Sequence, residues 1–151
     1  VLERADPSLL DDISAVCRAG RPRPPGNRGQ VDAAITAARD AARIGARNPR
    51  AAAHAMGVAE HAVTAAIAAG RLADAHAIAA EFVEQSRNSP GLAHPVAQAI
   101  SAMADLGSGR AATARDRLAA TLDRLDEFQD NCGVRYRFLI VQTKRWHGAA
   151  T

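Results

Sequence analysis

Among 151 residues, 37 are alanine and only 3% are aromatic, which excludes a sheet built on branched and aromatic pairs and favours helix throughout. The formal charge is +3, but eighteen of the nineteen basic residues are arginine, a bias explained by codon usage in a GC-rich genome rather than by a nucleic-acid face. Cys17 and Cys132 are too few for a disulfide scaffold and lack metal-ligand spacing; with no apolar run near ~18 residues and no signal peptide, they fit a reducing cytoplasm.

A chain opening on Val1 is expected to be a piece of a longer protein. Asp6-Pro7-Ser8 reads as a helix start, and Leu9, Leu10, Ile13, Val16 and Cys17 then share one face, so residues 1–19 are expected to form an N-terminal helix. Residues 20–29, "GRPRPPGNRG", hold three prolines and three glycines and read as a linker or long loop. A helical-repeat domain is expected over 29–146, with a tail over 147–151.

Within that domain an outline returns. Gly29-Gln30-Val31 leads to Ala34, Ala38 and Pro49; Gly70-Arg71-Leu72 leads to Ala75, Ala79 and Pro90. Both the glycines and the prolines are 41 residues apart. A third copy, Gly109-Arg110-Ala111 with Ala114 and Leu118, follows Gly70 by 39 residues. Such a period predicts an all-α fold of antiparallel helical pairs, stacked in a right-handed superhelix. Each glycine is expected to close a helix with a positive φ, and each proline to start the next element. Apolar stripes follow the glycines: Leu72, Ala75, Ala79, Phe82 and Val83, then Ala111, Ala114, Leu118, Leu122, Leu125 and Phe128. The intervening helices are expected at 50–69 and 92–106. "VRYRFLIV" has strand-like composition, but Val134, Phe138 and Val141 keep helical spacing, so 134–146 is read as a further helix.

The G-x-x-x-x-A pattern followed by proline resembles tetratricopeptide-type repeats over roughly 29–146. It is a divergent form: Ala38 and Ala79 stand where a large aromatic is usual, and the period exceeds about 34. "NPRAAAHAMGVAEHAVTAAIAAGRLADAHAIAAEFVEQS" is similar to the repeat region of large LuxR-type bacterial transcriptional regulators. The resemblance implies a sensor or scaffold segment that meets a small inducer or a protein partner, with DNA held only by regions outside it. The chain has no G-x-x-x-x-G-K-[ST] loop for nucleotide hydrolysis. A free-standing interaction scaffold unconnected with transcription is the alternative.

One polar constellation stands out. His54, His61 and Thr64 share a side of one helix, and His94, Gln98, Ser101 and Asp105 share a side of another about one repeat later. If the first helix of each pair lines the inner curve, these stripes converge on a ligand- or partner-binding groove; the plainer reading is a solvated helix face. Zinc at His54, His61, His76 and His94 lacks tight ligand spacing. Glu60 and His61 are adjacent and do not face each other. No Ser-His-Asp or Cys-His pattern has supporting context, and Cys17 and Cys132 read as buried filler, so neither catalysis nor a cofactor is expected. Arg135, Arg137, Lys144 and Arg145 alternate with Tyr136, Phe138 and Trp146 as they would to bind nucleic acid, though such aromatics more commonly sit in a core beneath arginine stems.

Overall fold

The computed structural model describes residues 28–89, 91–126, 143–145, 147, 148 and 150. Among them run five helices: α1 (Arg28–Arg47), α2 (Pro49–Ala68), α3 (Leu72–Ser86), α4 (Ala93–Gly107) and α5 (Ala111–Asp126). The described residues from 143 onward are helical too, and no described residue lies in a strand. The expected helix over 1–19, most of the 20–29 linker, both cysteines, Pro90, Phe128 and most of 134–146 lie outside the described residues.

Each helix packs on the next, and α1 also meets α3 while α2 meets α4. α1 buries Ile35, Ala38, Ala41 and Ala42 along one side. The α2 helix, with three neighbours, buries Ala55, Ala59, Ala62, Val63 and Ala66. Methyl-sized side chains let backbones approach. At Gly45 of α1 an added Cβ would lie 3.3 Å from both Ala52 Cα and Ala55 Cβ of α2. The largest fully buried anchors are Phe82, Ile78, Ile100, Leu118 and Leu125. In α3 the observed stripe is Ala75, Ile78, Ala79, Phe82 and Ser86, with Leu72 and Val83 half-buried; in α5 Thr121 is buried and Ala111 is exposed. Ala150, in the expected tail, packs with Ala99, Ala102, Ala114 and Leu118.

Two of the three recurring glycines share one construction. At the end of α2, Gly70 N–H donates to Ile67 O at 2.9 Å and Arg71 N–H to Ala66 O at 2.8 Å. At the end of α4, Gly109 N–H donates to Leu106 O at 3.0 Å and Arg110 N–H to Asp105 O at 2.9 Å. Both are complete Schellman motifs, which require a left-handed residue, and the glycines supply it at φ 71° and 75°. The alanine five residues after each glycine, Ala75 and Ala114, is fully buried. The expectation fails at Gly29. That glycine lies inside the first turn of α1 without a positive φ, and Ala34 behind it is only half-buried. Pro49 begins α2 as expected, where its missing N–H has no intrahelical partner to lose. Among the described residues, no helix is long and apolar enough to cross a membrane.

Candidate functional site

Three of the singled-out polar residues, His94, Gln98 and Asp105, belong to one hydrogen-bonded chain that ties α4 to α3 and α5. Proton accounting orients its first half. Ser86 Oγ donates its single proton to Val83 O at 3.1 Å, so it accepts from His94 Nδ1 at 3.2 Å. His94 Nε2 then accepts from Gln98 Nε2 at 3.2 Å, and Gln98 Oε1 accepts from Arg117 Nη1 at 2.6 Å. Arg117 Nε donates to Asp105 Oδ2 at 3.2 Å, while Arg110 Nη2 donates to Asp105 Oδ1 at 2.7 Å. The Asp105 side chain is only 4% exposed and sits in the last turn of α4, where the helix dipole opposes an anion. The two guanidiniums offset both penalties.

At the far end of the chain lies a Ser-His contact that the sequence did not disclose. Ser108 Oγ donates to Ala104 O at 2.9 Å and therefore accepts from His76 Nε2 at 2.8 Å. Arg110 Nη2 stands 3.1 Å from His76 Nδ1 and 2.7 Å from Nε2. With Nε2–H spent on Ser108, Nδ1 is the ring nitrogen left to accept from Arg110. A nucleophile–base pair needs the serine proton aimed at the imidazole and an acceptor on the other ring nitrogen. Here the serine proton goes to a backbone carbonyl, and the other ring nitrogen faces an arginine donor rather than an acceptor. The contact is built to hold α3 against the end of α4.

The arginine after each left-handed glycine has a common task. Arg71 Nε donates to Asp74 at 2.7 Å and its Nη1 reaches Asp32 on α1; Arg110 reaches His76 on α3. Each turn is thereby pinned to the helix two elements back. Hydrogen bonds to Asp32 first and Asp74 second raise the Arg71 pKa above its ordinary value, so it stays charged at any working pH. The recurrence of Gly-Arg at 70–71 and 109–110 was the available signal for this role. Nothing in the sequence marked Ser86, Ser108 or Arg117, whose partners are chosen by packing.

On α2, His61 and Thr64 are exposed and His54 is half-buried. Thr64 Oγ1 donates to Glu60 O at 2.8 Å, a local bond within its own helix. Ser101 is half-buried on α4 between Gln98 and Asp105 and takes no part in the network. Where the turn between α1 and α2 meets the end of α3, a shallow, solvent-open cleft is walled by Ala46, Ala52, Met56 and Phe82. Ser86 lines it as well, so the network begins at its wall. Among the described residues, no three His, Cys, Asp or Glu side chains gather as they would around a metal ion. No family model, curated protein or solved structure matches the chain.

Proposed function

We propose that this chain is a non-catalytic interaction segment, a cytoplasmic stack of tetratricopeptide-like helical pairs serving as the sensor or scaffold part of a bacterial transcriptional regulator. The observation that supports it is the return, 39 residues later, of the same Schellman turn, back-reaching arginine and buried alanine at Gly70 and Gly109. Units that repeat in this way bury their apolar faces on their neighbours and leave a long continuous surface for a partner. The exposed pair His61 and Thr64, with His54 beside them, supplies that surface on α2. His94, Gln98 and Asp105 hold the neighbouring helices in register, so in this reading they act on the surface from behind, with Ser101 between them.

The inducer or protein partner is sought by thermal shift, because anything that binds only the folded chain raises its melting temperature. A panel of metabolites and nucleotides is titrated against the full chain and against His61→Ala/Thr64→Ala. A saturable rise that the double variant loses supports the surface. A rise of equal size in both proteins refutes it, and product formation from any of the compounds refutes the non-catalytic reading.

A further inference from the structure

Arginine is not spread evenly along this chain. Residues 28–50 hold five arginines against two aspartates, a surplus equal to the formal net charge of +3, and the charges of all other residues cancel. Codon pressure accounts for arginine in place of lysine. It does not account for four arginines against two aspartates on α1, with Arg50 following in the first turn of α2.

The fold turns three of these arginines outward. Arg39, Arg43 and Arg47 are exposed at i, i+4 and i+8 of α1, a line roughly 12 Å long at ~1.5 Å rise per residue. They lie away from the side that carries Ile35, Ala38 and Ala42 into the core. Asp32 is engaged by Arg71. Asp40 pairs with Arg43, but both side chains are more than half exposed, and such pairs contribute little. Arg39 makes no ion pair among the described residues. The exposed neighbours Ala33, Thr36 and Ala46 are short, so a partner can approach the helix closely.

The character of this face selects its occupant. A protein partner would need a buried aromatic or aliphatic anchor, and no large apolar side chain is exposed along the line. A membrane would need apolar side chains to insert, whereas those of α1 are spent on the core. A duplex backbone needs only an array of cations and close approach. With no aromatic there to stack bases, a single strand is the poorer fit. We propose that the Arg39–Arg43–Arg47 face of α1 binds the phosphate backbone of double-stranded nucleic acid without reading its bases. This goes beyond the partner-binding role above, does not depend on it, and departs from the resemblance's implication that only regions outside this segment hold DNA.

The test is fluorescence anisotropy of the full chain with a labelled random-sequence DNA duplex of about 25 base pairs at ~50 and ~200 mM salt. Three phosphate contacts at ~0.9 each give a log–log slope of about −2.7, hence a loss of roughly 40-fold in affinity across that fourfold change. Arg39→Gln/Arg43→Gln/Arg47→Gln is expected to bind at least ~10-fold more weakly at the lower salt, with a flattened slope and an unchanged circular dichroism spectrum. Arg87→Gln/Arg115→Gln/Arg124→Gln, which removes as many charges from exposed positions elsewhere, is expected to stay within ~2-fold of the parent. Equal losses in the two triple variants would mean that only net charge matters and would overturn the assignment. So would no binding of the duplex by the parent, or α1-dependent binding of polyglutamate in place of DNA.

Discussion

Gly29, Gly70 and Gly109 occupy equivalent places in the recurring sequence but not in the fold, and replacing each by alanine separates the two descriptions. An added Cβ meets no atom within 4 Å at any of the three, so steric clash drops out and only backbone conformation remains. At Gly70 and Gly109 the φ values of 71° and 75° put an L-residue in the left-handed region, at ~1–2 kcal/mol. Restricting the unfolded chain offsets ~0.4–1 kcal/mol of that, leaving a net loss of about 1 kcal/mol at each turn. At Gly29, inside the first turn of α1, the same substitution relieves a helix of glycine and gains a few tenths to ~1 kcal/mol. For a chain of 151 residues these translate into melting temperatures lowered by roughly 2–4 °C for Gly70→Ala and Gly109→Ala, and raised by about 1–3 °C for Gly29→Ala. Differential scanning calorimetry reads the shifts, and Gly70→Asn recovers part of the loss because asparagine tolerates that region. Three shifts of one sign would refute the reasoning. A difference of more than ~1 kcal/mol between Gly70→Ala and Gly109→Ala would show that the two turns are not copies of one device.

Three further perturbations follow from packing and from the polar network. In Gly107→Ala the new Cβ would lie 2.7 Å from Ile67 Cγ2 and 2.9 Å from Cγ1, so overpacking of ~1–3 kcal/mol outweighs any gain in helix propensity. In a urea double-mutant cycle Ile67→Ala should relieve it with a coupling of about 1 kcal/mol or more, and strict additivity would disprove the contact. Asp105→Asn removes the anion shared by Arg110 and Arg117 and should cost ~1.5–3 kcal/mol in urea unfolding, with parental stability as the contrary result. Phe82→Ala empties the largest fully buried site and should cost ~3–5 kcal/mol by the same measurement, and a loss under ~1 kcal/mol would mean that Phe82 is not an anchor.

Read alone, the sequence determined what neighbouring residues settle among themselves. Alanine-rich windows made helices at 49–68 and 93–107, each end one residue from the 50–69 and 92–106 expected, and Gly-Arg at 70 and 109 marked real turns. Capping and helix propensity act within about six residues, so a local pattern suffices for them. Tertiary structure decided the rest. It drew Asp105 and Gln98 inward onto Arg117, set Ser108 against His76, put Gly29 inside a helix and brought Gly107 onto Ile67. Only when the apolar side of α1 was used up in the core did its arginines become one outward line. Long side chains choose partners 12 to 39 residues away by which helices come to lie side by side, and periodicity along one helix carries no record of its neighbour.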